Sequence, residues 1–397
     1  MRLRRTNGAL FAITALTVVS AWAQTSDTQT SSTASDQASS PAPQNQSTPA
    51  TPAAPAKYKL NFGGIDFSGM IDGYYSLNFN HPDAGFNQLY NFDDKTNQVN
   101  LNLLKLTASH DPDPIGFRVD IGLGRVFSII NPAPNPDPEF FRYVEQAYVS
   151  VKPKGWKGFE ADFGDFVTSA GAEVIETKDN WNYSRSLLFS WAIPYYHFGV
   201  RTSMPIGNSF TAGVQVINGW NAIVDDHGNN MKTVGLTGTV TKKKFAWTNN
   251  YYVGPQYTST SNQTRGLYDT VLLLTPTDKI SAYLNFDYGR QHLPGGGSNH
   301  WNGFAGAAHF QLTKRVALSP RAEYYNDSSG FTTGTPQRLH EVTVTGEYKA
   351  FEGLLGRLEY RHDGSNVDFF NRGTVPAFSK TQNTISVGIV AWIAPKH

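Results

Sequence analysis

The chain has 397 residues, with 33 Lys and Arg against 32 Asp and Glu, 36 Gly and no Cys. Without Cys there is no disulfide scaffold, thiol nucleophile, Cys-ligated zinc or lipid-bearing lipoprotein anchor, and a net charge of +1 argues against binding nucleic acid by bulk charge. Charged residues are 16% and aromatics 13% of the chain, against roughly 25% charged in an ordinary soluble domain, which points to β-structure whose outer surface does not meet bulk water.

Arg2, Arg4 and Arg5 precede an apolar run over 8–21, and Ala21-Trp22-Ala23 places small residues at both recognition positions of a cleavage site. Residues 1–23 therefore read as a secretory signal peptide, since the run is too short to span a bilayer comfortably. Its removal leaves 30 basic residues against 32 acidic ones. Residues 24–56 contain only Gln, Thr, Ser, Asp, Ala, Pro and Asn. With nothing to bury, they read as a disordered periplasmic tether, and 57–397 as one domain.

From Ile65 onward apolar and polar residues alternate. Ile65, Phe67, Ile71, Tyr75 and Leu77 share one parity, and Asp66, Ser68, Asp72, Ser76 and Asn78 the other. Successive strand side chains point to opposite faces, so this is a strand with one apolar face. Similar segments start near Ile65, Val99, Phe117, Tyr143, Phe159, Tyr196, Phe210, Thr233, Phe245, Leu267, Ile280, Asn302, Val316, Leu339, Leu354 and Thr384; those near Val99 and Leu267 alternate poorly. The links alternate in length. Short ones at 111–114, 153–158, 205–209, 242–244, 275–279, 313–315 and 349–353 separate long ones at 80–98, 125–142, 165–195, 218–232, 254–265, 291–301, 326–338 and 362–381.

Tight turns at one end and long loops at the other are the asymmetry of an outer-membrane barrel, with the turns in the periplasm. In lipid a sheet satisfies every backbone group only by closing on itself. The expected fold is all-β, a transmembrane antiparallel up-and-down barrel of about 16 strands, with a range of 14–18. Apolar residues then face lipid and polar ones a wet lumen. Arg118, Asp120, Arg201, Arg321, Glu323, Arg357, Glu359 and Arg361 fall on the lumen parity and read as pore wall. Tyr75, Trp156, Trp247, Tyr251, Tyr288, Trp301, Tyr324, Tyr348, Tyr360 and Trp392 read as interface girdles. Tyr74, Tyr148 and Tyr283 are the candidates for a stacking slide inside.

Residues 159–221 carry a family resemblance. The pieces Gly164-Asp165-Phe166-Val167-Thr168, Glu173-Val174-Ile175-Glu176, Asn182-Tyr183-Ser184-Arg185-Ser186, Ala192-Ile193-Pro194, His197-Phe198-Gly199-Val200-Arg201 and Val216-Ile217-Asn218-Gly219-Trp220 resemble beta-barrel porin family 2, the OmpL-like porins. The resemblance implies a Gram-negative outer-membrane, porin-like protein and supplies no solute.

The expected function is a water-filled channel for passive diffusion of small hydrophilic solutes or ions. Long ordered loops in compact proteins are usually functional, and the longest link, 165–195, is expected to fold inward and narrow the pore. Its Glu173, Glu176, Lys178, Asp179 and Arg185 would face the wall arginines and set a transverse field. The rival readings are a closed structural or adhesive barrel and an outer-membrane hydrolase. No G-x-S-x-G, H-E-x-x-H or phosphate-binding Gly loop is present, and the ten His are scattered. No catalytic residue, cofactor or metal site is read. The partners expected are outer-membrane lipid, the barrel-insertion machinery and the solute. Trimers are common among general porins, so a homotrimer is the assembly to test.

Overall fold

The computed structural model describes residues 60–131, 139–224, 231–255, 263–374 and 376–395. The leader read over 1–23 and the tether over 24–56 lie outside them. Sixteen long strands follow one another: β1 (Ile65–Asn78), β2 (Val99–His110), β3 (Ile115–Leu123), β4 (Val144–Val151), β5 (Glu160–Val167), β6 (Tyr196–Ile206), β7 (Phe210–Ile217), β8 (Thr233–Lys242), β9 (Phe245–Pro255), β10 (Thr264–Thr277), β11 (Ile280–His292), β12 (Ser298–Gln311), β13 (Val316–Asp327), β14 (Gln337–Phe351), β15 (Leu354–Ser365) and β16 (Thr381–Ile393). Each pairs antiparallel with the next. β16 pairs back onto β1, from Thr384 opposite Asn78 to Ile393 opposite Gly69. The sheet is a closed barrel with no open edge, and every strand starts within four residues of the position its alternation marks.

The parity rule sets which side chains face out. On β13 the inward Arg321 is 1% exposed and the outward Tyr324 48%. The two segments that alternate poorly have separate causes. On β2 the register slips: Asp72 pairs with Leu103 and Gly73 with Leu101, so Asn102 is an extra residue. That bulge leaves both Asn102 and Leu103 buried and shifts the parity of everything after them. On β10 the inward Leu267 and Val271 are themselves apolar and buried, because loop side chains cover them, so polarity no longer marks the face.

The strict alternation of short and long links does not hold. β11 and β12 extend toward each other until only the five residues 293–297 separate them, fewer than the eight of the turn at 152–159. The sequence hides this extension because its outward residues, Arg290, His292, Ser298 and His300, are polar. The backbone ladder continues regardless, pairing His292 with Ser298. At the other rim the links shrink to two residues at Glu352–Gly353, where Gly353 has φ of +91°, a left-handed conformation that glycine adopts at little steric cost.

Loop side chains fill part of the lumen. Phe92 from the first long loop packs with Leu187, Leu188 and Phe189 from the third and with the inward wall residues Trp301 and Tyr325, all buried. This apolar cluster crosses the barrel interior and decides what the inward charges can do.

Candidate functional site in the barrel lumen

The third long loop leaves β5 at Val167 and returns to β6 at Tyr196. Between these points it crosses to the opposite wall. A loop taken out of water must find partners for its backbone N–H and C=O groups, and here the wall supplies them. Glu359 on β15 accepts the N–H groups of Tyr183 (2.6 Å) and Ser184 (2.9 Å). Glu323 on β13 accepts those of Leu187 (3.0 Å) and Leu188 (3.3 Å). In the other direction, Arg357 donates to the carbonyls of Thr177 (2.6 Å), Asn182 (3.1 Å) and Asn180. Arg361 donates to Arg185 O at 2.8 Å and Arg321 to Ser184 O at 2.8 Å.

Two bare positions on the wall make room for the loop. A Cβ at Gly388 of β16 would lie 2.1 Å from the Tyr183 ring, and one at Gly303 of β12 would lie 2.7 Å from Leu188. Tyr183 therefore lies against the strand itself, and its hydroxyl donates to Asp72 on β1 at 2.7 Å.

The loop charges expected to face the wall across water instead meet partners directly. Glu173 contacts Arg321 at 2.8 Å, and Arg321 also reaches Glu323 and Glu341, each at 3.3 Å. Arg361 is paired with Asp363 at 2.7 Å and Arg357 with Glu347 at 2.8 Å. Arg185 points back into its own loop, donating to Val174 O (2.9 Å), Tyr183 O (2.6 Å), Ile175 O and the Thr177 hydroxyl (3.0 Å). Arg321, Glu323, Arg357, Glu359 and Arg361 are thus covered by the loop and do not line open space. Inward charge at this density would be costly in a dry interior without partners; hydrogen bonding to the loop backbone provides them.

The remaining sequence-read residues gather on the other side. A cavity of about 360 Å³ lies against β1–β6, toward the rim of short turns. Lys105, Arg118, Gln146 and Arg201 line it from the wall, Glu176, Lys178 and Asp179 from the loop, and Met70 and Trp392 add apolar surface. Arg118 uses Nε on Asp120 at 2.9 Å, and Arg201 uses Nε on Asp162 at 2.7 Å. Neither Arg118 nor Arg201 gives its Nη groups another partner among the described residues. Arg201 is held over the rings of Tyr148 and Phe166, at 5.0 and 4.6 Å. Lys178 pairs with Asp179 at 2.5 Å.

Behind this cavity, one oxygen each of Asp120, Glu145 and Glu176 lie within 4.8 Å of one another, a spacing that suits a metal ion. The centre is taken by the chain's own cation. Lys105 Nζ is 3.5 Å from Asp120, 3.3 Å from Glu145 and in contact with Glu176. Burial acts to raise the Glu176 pKa, but Lys105 and then Lys178 outweigh it and hold the carboxyl well below the usual carboxylate range. Lys105 escapes the sequence reading because the β2 bulge blurs its parity. Asp93, in the first long loop, escapes it too, since loops carry no parity. It is buried with neither carboxylate oxygen hydrogen-bonded, and burial, then Glu359, pushes its pKa up to about 8.

Eight of the ten girdle aromatics point outward and are exposed or lie at the rims, but Trp301 and Trp392 are inward. Trp301 donates to Ala192 O at 3.0 Å and so fastens the end of the third loop. Of the three candidates for a stacking slide, Tyr74 lies beside Tyr183 and Tyr283 is stacked under Trp181 at 5.2 Å, both covered, while Tyr148 lies beneath the Arg201 guanidinium at 5.0 Å.

The family described as "Putative beta-barrel porin-2, OmpL-like" matches residues 64–392. Among solved structures the chain is similar to the anion-selective porin of Comamonas acidovorans, with 11% identity, 83% of this chain and 99% of that one covered, and a TM-score of 0.57. It is similar to the outer membrane channel DcaP of Acinetobacter baumannii, with 10% identity, 86% and 100% covered, and a TM-score of 0.56. The trimer form of in-vitro folded OmpT from Vibrio cholerae gives 11% identity, 83% and 99% covered, and a TM-score of 0.55. A comparison with curated proteins finds no match.

Proposed function

The chain belongs to the OmpL-like beta-barrel porin family, an outer-membrane porin by kind, and from that premise we propose that it passes small hydrophilic solutes or ions along one side of its lumen. The path runs between the third loop and the inner face of β1–β6. One observation carries this reading: the 360 Å³ cavity lies on that side, lined by Arg118, Arg201, Glu176, Lys178 and Asp179, while Glu323, Arg357 and Glu359 hold the loop backbone against β13 and β15. The third loop is the constriction. Glu176, Lys178 and Asp179 are its solute-facing charges, and Glu173 and Arg185 hold its shape. The long loops face away from the cell and the short turns face the periplasm.

Planar-bilayer recording of the refolded protein tests the reading. Stepwise currents are expected, with ion selectivity that moves when Lys178 and Asp179 are replaced by Gln and Asn. A second reading, a sealed structural or adhesive barrel, draws its support from the apolar cluster of Phe92, Leu187, Leu188 and Trp301 across the interior; membranes that hold the folded protein and show no steps would favour it. Assembly as a homotrimer is supported by the trimeric form of a solved neighbour and is read out by cross-linking in detergent.

A further inference from the structure

The outer face of the barrel is not uniform around its circumference. At the long-loop rim, one sector ends in exposed apolar residues: Val99 on β2, Leu123 on β3, Val216 on β7, Val234 on β8 and Val253 on β9. At the same rim of β11, β12, β14 and β15 stand Arg290, His300, Arg338, His340 and His362, all outward and all exposed except the half-buried His362. Every Asp and Glu of β11–β15 has the inward parity. The row therefore has no carboxylate on its own face.

The arginines differ from those inside. Each inward arginine described above touches a carboxylate. Arg290 and Arg338 touch none among the described residues; Arg290 only donates from Nε to Ser298 Oγ at 3.0 Å. The imidazoles are seated. His340 lies opposite Gly364, where a Cβ would come within 2.2 Å of its ring. The His340 and His362 rings are 5.9 Å apart, and His362 Nδ1 is 2.8 Å from Asn383 Oδ1.

The height of the row agrees with its chemistry. Along β14, His340 is eight residues from Tyr348, with Val342, Val344 and Gly346 outward between them. That is about 27 Å of strand, or roughly 20 Å of height at an ordinary tilt, close to the span of an apolar band about 25 Å tall. The row sits where hydrocarbon gives way to headgroups. Guanidinium groups with no carboxylate partner among the described residues complement phosphate at this level.

We propose that the sector β11–β15 binds the phosphate groups of an anionic lipid in the leaflet at the long-loop rim, with Arg338 and His340 at the centre of the contact and Arg290 beside it. The binding is electrostatic and needs no movement of the barrel, and it stands whether or not the lumen conducts.

Native mass spectrometry of the folded full chain, with lipid A as the phosphorylated probe and phosphatidylcholine as the neutral one, tests it. The native chain is expected to retain lipid A against a tenfold excess of phosphatidylcholine. The variant Arg290→Gln/Arg338→Gln/His340→Gln is expected to bind lipid A about thirtyfold more weakly, from the loss of two or three surface cations, with phosphatidylcholine adducts unchanged. Folding is checked by heat-modifiable gel migration. Independently of any variant, 1 M NaCl should strip lipid A from the native chain. Equal lipid A binding by both chains, no preference over phosphatidylcholine, or retention in 1 M salt would overturn the proposal. Loss of an oligomer in the variant with lipid A binding intact would overturn it in favour of a contact with a second copy.

Discussion

Arg118 and Arg321 are the same residue type on the same parity, and they show two uses of one inner wall. Arg321 meets Glu173, Glu323 and Glu341 and donates to the loop carbonyl of Ser184. Arg118 spends only Nε on Asp120 and turns its Nη groups to the cavity. The wall of β13 and β15 takes most of the charged contacts that hold the third loop's backbone, whereas on β1–β6 the loop touches Asp72 and Lys105 and leaves a cavity beside Arg118 and Arg201. An inward arginine is scaffold where the loop backbone consumes its donors, and cavity-facing where the loop leaves them.

The comparison is broken most severely on the docked side. Arg321→Met removes the cation between three buried carboxylates, and uncompensated buried charge costs about 3–5 kcal/mol. Urea unfolding in detergent should show that loss, and protease should cut the loop after Lys178 or Arg185 in the variant while the native loop resists. Gly388→Val strikes the same docking without touching a charge. The new side chain would occupy the place of the Tyr183 ring, and overpacking of this kind costs about 1–3 kcal/mol. Larger single-channel currents are expected in both variants; unchanged currents would mean that the docked loop does not limit the path.

Strand existence and facing were legible because lipid outside and charge inside impose a period of two on nearly every strand. The places where legibility failed are physical. Asn102 hid Lys105 by shifting the parity, and apolar Leu267 and Val271 hid the inner face of β10 because a loop covers it. The loop charges were legible as a set but not as pairs. Nothing in the spacing of Arg185 says that it folds back on Ile175 and Thr177, or that Glu323 and Glu359 accept pairs of backbone N–H groups. Alternation fixes a side chain's face, whereas loop docking depends on three-dimensional complementarity that no single strand encodes.

A milder perturbation comes from pH through Asp93. Its folded pKa of about 8 stands well above the ordinary aspartate range, so the folded loop holds the proton more tightly than the open one. The packing of the first loop is therefore most stable below about pH 4 and weakens as pH rises toward 8, beyond which the penalty is constant. Hydrogen exchange of the loop amides around Asp93, corrected for intrinsic rates, should report more opening at pH 8 than at pH 5. Asp93→Asn should flatten that dependence, and a slope that persists in the variant would assign it to another group.

The smallest effect on stability is expected where the wall is open. In Arg118→Gln/Arg201→Gln, Asp120 keeps Lys105 and Gln146, and Asp162 keeps the Ser150 hydroxyl at 2.5 Å. Neither carboxylate is abandoned, so the urea midpoint should move little, by about 1 kcal/mol or less in free energy. Ion permeation should change instead. Two guanidinium groups vanish from a narrow polar path where fixed charge sets ion selectivity, and the reversal potential in a salt gradient should shift toward cations. A large loss of stability with unchanged selectivity would mean that Arg118 and Arg201 are scaffold like Arg321, and the distinction between the two halves of the wall would fall.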